Sequence, residues 1–162
     1  MLLKITAVIA LALMLAGCQT QYQEMSFSGG VSAMPITSDT YRIVSRGNGY
    51  TDSVTVQDYS LLKAAETTLS TGNTHFLLVS GNDATSNTVG QTAGYSQTHV
   101  YGNTAYSTYT PGTTYNIVKP GQDLIIKLYN SAKGAVPAGA FAAQDVYNNI
   151  SPRVVRPKKP TA

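Results

Sequence analysis

The chain has 162 residues, of which 43% are apolar and 12% are charged, and its formal net charge is +3. So few charges exclude a polybasic nucleic-acid-binding protein, and a chain of this length excludes a multidomain enzyme. Only one apolar run is long, which excludes a multipass membrane protein. We expect one small domain with a modest core and a surface made polar by uncharged side chains.

The amino-terminal segment has the features of a secretory signal. Lys4 supplies a positive charge, and residues 5–16 form an apolar stretch. This stretch is too short to cross about 30 Å of hydrocarbon as a stable helix. We therefore predict a signal peptide over residues 1–17.

Leu15, Ala16, Gly17 and Cys18 resemble a bacterial lipobox, in which small residues lead into a cysteine. That resemblance implies cleavage before Cys18, diacylglyceryl attachment to its thiol and acylation, for example with palmitate, of the new amino group. Cys18 is the only cysteine, so it cannot form an internal disulfide. Two or three acyl chains anchor a protein stably, whereas one is marginal. Gln19 is not the Asp that resembles an inner-membrane retention signal, so the analogy favours the periplasmic face of the outer membrane.

The segment after the cysteine is polar, and we predict that residues 18–30 form a lipidated terminus and tether that holds the body off the membrane. Two short strands follow, over residues 31–36 and 41–46. Residues 47–49 contain two glycines and interrupt the second strand.

Residues 54–71 form the clearest predicted helix, because their apolar residues recur at helical spacing. Thr51, Asp52 or Ser53 is expected to cap its start, and Gly72 its end. Residues 76–79 form a short apolar run that is typical of a strand buried on both faces. The predicted apolar stripe of the helix consists of Val54, Leu61, Leu62, Ala65 and Leu69, and its polar face of Gln57, Ser60, Lys63, Glu66 and Thr67.

The order of the elements predicts an α+β fold, in which one main helix covers a small, mostly antiparallel sheet. A further strand over residues 123–129 and a short carboxy-terminal helix over residues 140–148 complete it. We predict one domain over residues 31–152. Whether strands 41–46 and 76–79 are adjacent and parallel stays open.

Residues 81–116 differ in composition from the rest of the domain. They contain one formal charge, Asp83, together with nine threonines and five tyrosines. Alternation over residues 95–101 and 104–110, on either side of a two-residue Gly-Asn turn, predicts a hairpin in which His99 faces Tyr106. A flexible, Thr/Ser-rich loop is the alternative.

The tyrosines of this insertion are candidate contact residues. Tyr101, Tyr106 and Tyr109 offer a platform for stacking on cell-wall glycan or for a protein partner, because tyrosine brings contact area at low entropic cost. The alternative is an exposed, weakly ordered hairpin whose tyrosines pack on one another.

Arg46, Asn48 and Tyr50 belong to the turn that precedes the main helix. Its glycines would let backbone amides approach an anion at the start of a helix, and Arg46 would add charge. Tight backbone geometry at a strand-to-helix turn demands the same residues, which is the structural alternative.

Catalytic and metal-binding patterns are missing from the sequence. His75 and His99 are the only histidines, and no second cysteine can complete a zinc site. No acid is spaced to orient a base beside a Ser or Thr nucleophile. We expect no enzyme activity, no metal and no cofactor.

The carboxy-terminal residues 153–162 carry four basic side chains and no acid. Such a tail attracts anionic lipid head groups or cell-wall polymers, although a solvated chain end has the same composition.

Six motifs carry a family resemblance: Gly29-Gly30, Tyr41-Arg42-Ile43, Arg46-Gly47-Asn48-Gly49-Tyr50-Thr51, Val56-Gln57-Asp58-Tyr59, Leu62-Lys63-Ala64-Ala65-Glu66-Thr67-Thr68-Leu69 and Tyr147-Asn148-Asn149-Ile150-Ser151-Pro152-Arg153-Val154. Together they resemble an uncharacterised family of small Gram-negative envelope lipoproteins. The resemblance covers nearly the whole mature chain except residues 81–116, and His75 departs from the aromatic pair expected there. It implies the location and the fold, and no activity.

The sequence therefore predicts a periplasmic lipoprotein, anchored in the outer membrane by lipid on Cys18. We expect a structural or protein-interaction module of the cell envelope that binds an envelope protein or peptidoglycan and no nucleic acid. The alternative is a glycan-binding module that uses the tyrosine-rich segment.

Overall fold

The structure is a computed structural model that describes residues 19–158. The predicted signal peptide and the lipidation of Cys18 therefore lie outside the described residues. The chain divides into two compact units, of which the smaller consists of residues 87–118. We predicted a single domain over residues 31–152. The larger unit also includes residues 19–30 and the first part of the predicted basic tail.

Helices and mostly antiparallel strands build the described chain, as an α+β fold requires. In chain order, the elements are β1 Gly30–Pro35, β2 Thr40–Arg46, α1 Ser53–Ser70, β3 His75–Asp83, β4 Ser86–Gln91, β5 Tyr95–Tyr101, β6 Thr104–Thr110, β7 Thr114–Lys119, β8 Gly121–Tyr129, β9 Phe141–Ala142, α2 Ala143–Ile150 and a 3₁₀ turn Ser151–Arg153.

Five strands of the larger unit form one sheet in the order β1-β2-β8-β3-β9. Every neighbouring pair in it is antiparallel. Because β8 pairs antiparallel with both β2 and β3, those two strands run parallel to each other but are not adjacent. This answers the question that the sequence left open.

Helix α1 begins and ends where local sequence signals predict. Asp52 is its amino-terminal cap, with Oδ1 accepting a hydrogen bond from the Thr55 N–H at 2.8 Å. Just after the helix, Gly72 adopts a positive φ of 74°, as a left-handed end requires. Among residues 19–158, no helix combines the length and the apolar character that crossing a bilayer requires.

The face of α1 that is buried differs from the predicted stripe. Val54 is 64% exposed, whereas Ser60 and Thr67, which we predicted to face solvent, are buried. The Ser60 Oγ lies within hydrogen-bond distance of the Ser45 Oγ, at 2.8 Å, and of the Val56 carbonyl oxygen, at 3.0 Å. A hydroxyl that is fully hydrogen-bonded tolerates burial, so polarity alone mispredicted this face.

Strand β3 is less buried than its apolar run predicted. Phe76 is fully buried, but Leu77 and Leu78 are half-buried and Val79 is 57% exposed. The register against β8 shifts between Leu78 and Ser80, which is a β-bulge. The prediction of a strand buried on both faces is therefore wrong beyond Phe76.

Part of the predicted tether is buried within the larger unit. Thr20 and Tyr22 are 3% and 6% exposed, and Tyr22 belongs to the buried apolar cluster. The Tyr22 N–H donates to the Val155 carbonyl at 2.8 Å, so the two ends of the described chain meet. Thr20 and Tyr22 are therefore immobilised, and the body begins within two residues of Cys18 rather than after Gly30.

The smaller unit contains the hairpin that the alternation predicted. Strands β5 and β6 pair antiparallel around Gly102 and Asn103, with His99 opposite Tyr106. Gly102 takes a positive φ of 60°, which suits a tight hairpin turn. Every residue of both strands is exposed.

Burial of Tyr22 yields a stability prediction. We expect Tyr22→Ala to lower the free energy of unfolding by about 3 kcal/mol, because it empties a core position and removes an aromatic contact. Urea titration of the chain without its signal peptide measures this loss. Tyr50→Ala removes a side chain that is 73% exposed and serves as the control. Equal losses in the two variants would contradict the packing of the amino-terminal segment.

Candidate functional site

Thr20 lies between the turn of residues 26–29 and the turn of residues 46–51, and it hydrogen-bonds to both. Its N–H donates to the Thr51 Oγ1 at 2.9 Å, and its Oγ1 accepts from the Asn48 N–H at 2.9 Å. The same Oγ1 donates to the Ser28 carbonyl at 3.0 Å. The Thr20 carbonyl in turn accepts from the Tyr59 hydroxyl at 2.7 Å. All three polar groups of this buried residue are satisfied.

The turn of residues 46–51 was predicted as an anion site or as a structural turn. Three of its amides are engaged within the protein: Gly47 N–H donates to the Pro120 carbonyl, Asn48 N–H to Thr20, and Tyr50 N–H to the Asn48 Oδ1. These amides are unavailable to an anion, so the geometry favours the structural interpretation. A Cβ on Gly47 would lie 2.9 Å from the Thr51 Cβ, which explains this glycine by close approach.

The three candidate residues of this turn have separate surroundings. Arg46 forms an ion pair with Asp123, with Nη1 2.6 Å from Oδ1, and both side chains are about one-third exposed. Such a partly exposed pair stabilises the fold little, but it neutralises the charge that an anion would need. Asn48 is held within the turn by its side-chain oxygen, while Tyr50 is 73% exposed.

A cluster around Tyr22 joins the amino-terminal segment to the predicted basic tail. The Tyr22 hydroxyl donates to Glu66 Oε2 at 2.5 Å, and Arg156 Nη2 donates to Glu66 Oε1 at 2.7 Å. The Arg156 guanidinium also lies 4.6 Å above the Tyr22 ring. Nearer the amino-terminal end of the helix, Arg153 pairs with Asp58 at 2.8 Å. Two of the tail's four basic side chains therefore form ion pairs with α1.

Burial raises the pKa of Tyr22 far above its ordinary value, and the hydrogen bond to the Glu66 carboxylate raises it further. Burial also raises the pKa of Tyr59, whose ring meets the Tyr22 ring edge-on at 5.4 Å. Both phenols therefore stay neutral in the folded protein under alkaline conditions in which the unfolded chain ionises.

The tyrosines of the hairpin do not form one platform. Residues opposite each other across an antiparallel pair share a face, so the cross-strand pairs Tyr101 with Thr104 and His99 with Tyr106 place both tyrosines on the same face. Tyr109 lies opposite Ser96 and therefore on the other face. The Tyr101 and Tyr106 ring centroids are 6.5 Å apart, with planes tilted by 57°. Tyr95 belongs to their face as well.

The histidines lie in different places. The Nδ1 of His75 hydrogen-bonds to the Thr74 Oγ1 at 2.8 Å at the start of β3, and His99 belongs to the hairpin. Across residues 19–158, no three His, Cys, Asp or Glu side chains are grouped so that they would hold a metal ion.

Two residues near the proposed lipid anchor were missed as candidates. Thr20 stood in the predicted tether, and Phe27 stood in the same segment as an isolated apolar residue. The Gly29-Gly30 pair after Phe27 was the available signal: Gly29 adopts a φ of 101°, and a Cβ there would clash with the Arg46 carbonyl. A glycine required by close packing indicates a folded segment rather than a linker.

Comparison with protein-family models, with curated proteins and with solved structures finds no match for this chain.

The raised pKa of Tyr22 predicts a pH dependence. Its contribution to stability is complete below about pH 10, the pKa of an unperturbed tyrosine, and declines as the pH rises further, because only the unfolded chain then releases the proton. We expect Tyr22→Phe to be less stable than wild type by about 1 kcal/mol at neutral pH, since one hydrogen bond is lost. We expect this gap to narrow above about pH 10.

Urea midpoints measured from neutral pH to about pH 11 test this prediction. Tyr101→Phe, on the exposed hairpin, is the matched control, and Tyr59 is present in every variant. A gap between wild type and Tyr22→Phe that stays constant or widens over this range would contradict the assignment.

Proposed function

We propose that this protein is a lipoprotein of the Gram-negative cell envelope, anchored by lipid on Cys18 in the periplasmic leaflet of the outer membrane. The proposal is supported by the residues before Cys18, by the absence of Asp after it and by the six family motifs. No family model matches the chain, so the family membership is part of the proposal.

Within the envelope, we propose a non-enzymatic role as a structural or protein-interaction module. The observation that carries this proposal is the β5–β6 hairpin. Every residue of its two strands is exposed, and none carries a formal charge. Its Tyr95, His99, Tyr101 and Tyr106 side chains share one face. Tyrosine-rich, uncharged surfaces are typical of protein contacts, because they bury area at low desolvation cost.

Recognition of cell-wall glycan is the rival function. The pair Tyr101 and Tyr106 supports it, since two exposed aromatic rings on one face offer surfaces on which sugars stack. The opposite placement of Tyr109 reduces the proposed three-ring platform to these two rings and Tyr95.

The proposal also assigns a structural role to α1, which we infer to cover one face of the five-stranded sheet. Leu62 and Ala65 from α1 share one buried cluster with Ile43 from β2 and Ile126 from β8. This cluster is the hydrophobic core of the larger unit.

The anchoring predicts a defined amino terminus. We expect mass spectrometry of the protein from its native host to find a chain that begins at Cys18 and carries acyl groups, and fractionation to recover it with the outer membrane. Cys18→Ala is the control and should give neither the acylated terminus nor membrane recovery. A soluble, unmodified wild-type protein would end the localisation proposal.

The hairpin predicts a face-specific contact. A photo-crosslinking amino acid at Tyr106 should trap an envelope protein in intact cells, whereas the same group at Tyr109, on the opposite face of β6, should not. Equal trapping at both positions would remove the Tyr101–Tyr106 face from the proposal.

Purified peptidoglycan separates the two functions. The assay measures retention on sacculi from which other envelope proteins have been removed. Retention of the wild-type protein and of Tyr109→Ala, together with loss of retention in Tyr106→Ala, would favour the glycan-binding function. No retention, together with crosslinks from position 106, supports the protein-interaction module.

A further inference from the structure

Phe27 is presented at the tip of a tight turn and takes no part in the core. The turn consists of residues 26–29 and is called the Phe27 turn below. Ser26 and Gly29 exchange two backbone hydrogen bonds of 3.1 Å, and the Ser26 Oγ donates to the Gly29 carbonyl at 2.8 Å. The Phe27 side chain is fully exposed, so its whole ring contacts solvent. A well-braced turn that holds a bare aromatic ring outward indicates a contact beyond the chain itself.

The Phe27 turn is tied to Thr20, which lies two residues after the proposed anchor. The carbonyl of Ser28, next to Phe27, accepts the 3.0 Å hydrogen bond from the Thr20 hydroxyl. Cys18 precedes Thr20 by two residues, and two extended residues span at most about 7 Å. Acyl chains on Cys18 therefore leave the protein within about 7 Å of the residue to which the turn is bound.

The surroundings of the turn suit the membrane–water boundary. A shallow cavity of about 250 Å³ beside it is lined by Met25 and Phe27 as well as by the basic side chain of Lys119. Aromatic and apolar side chains next to basic groups are the combination that lies at phospholipid head groups. Tyr50, 73% exposed, is presented by the second turn that Thr20 holds.

We infer that the Phe27 turn rests in the head-group region of the bilayer and inserts the Phe27 ring at the acyl boundary, which fixes the orientation of the anchored domain. The inference rests on the proposed lipidation of Cys18. A bilayer is the occupant of this surface because the anchor brings it there: acyl chains attached two residues from Thr20 leave no room to hold the body away from the lipid.

The composition of the chain permits a direct test. The chain has no Trp, so Phe27→Trp introduces a single emitter, and its one cysteine is Cys18. The chain from Cys18 onward is coupled through this thiol to maleimide-bearing lipid in vesicles of phosphatidylethanolamine and phosphatidylglycerol. Coupling reproduces the anchor whether or not cells acylate Cys18, so its result is independent of the mass-spectrometric test of the proposed function.

We expect the emission of coupled Phe27→Trp to shift to the blue and to be lost when the vesicles contain lipids brominated on their acyl chains. The matched control is Ile36→Trp, which replaces another exposed apolar residue, 49% exposed and just beyond the far end of β1. It should show neither change. Circular dichroism confirms that both variants fold, which the exposure of the two positions favours.

The outcomes are decisive in both directions. Quenching of Phe27→Trp without quenching of Ile36→Trp supports the inference. No quenching at position 27 overturns it and leaves the exposed ring to a protein partner. Equal quenching at both positions also overturns it, because the domain then has no fixed orientation on the bilayer.

Discussion

The amino-terminal half of the larger unit depends on the hydrogen bonds of the buried residue Thr20. A single hydroxyl accepts from the Asn48 amide and donates to the Ser28 carbonyl, and the flanking backbone groups bind Thr51 and Tyr59. Without these bonds, four buried or partly buried polar groups would lose partners, at a cost of about 1–3 kcal/mol for each one left unsatisfied. Thr20 therefore positions both the Phe27 turn and the turn before α1.

The two ends of the described chain stabilise each other against α1. The Tyr22 hydroxyl donates a hydrogen bond to Glu66, and its backbone N–H donates one to the Val155 carbonyl. The Arg156 guanidinium lies over the Tyr22 ring. Because Glu66 accepts from both Tyr22 and Arg156, its carboxylate is neutralised where it is only partly exposed. Both ends of the described chain are thus part of the fold.

Features governed by neighbouring residues were predictable from the sequence. Helix α1 follows from its Asp52 cap and Gly72, and the β5–β6 hairpin follows from strict alternation around Gly102 and Asn103. These signals depend only on residues that are close in sequence, so they can be recognised without knowledge of the fold.

Features governed by distant residues were not predictable. The partner of Arg46 is Asp123, 77 positions later, and the partner of Tyr22 is Glu66. Burial of Ser60 depends on a hydroxyl of β2, and a polar segment such as residues 19–30 resembles a tether until Tyr59 and Val155 are brought to it. In each case the deciding group is supplied by tertiary structure.

The position of β8 has a consequence for how the chain folds. This strand comes after the whole smaller unit in the sequence, yet it lies at the centre of the five-stranded sheet, between β2 and β3. Strands β2 and β3 do not pair with each other, so the five-stranded sheet is incomplete until β8 pairs with both. The pairing of β8 with β2 also requires the long loop between them to be closed first. Until β8 pairs, the edges of β2 and β3 that it occupies in the sheet stay unpaired, and in that interval the chain is most exposed to misassociation.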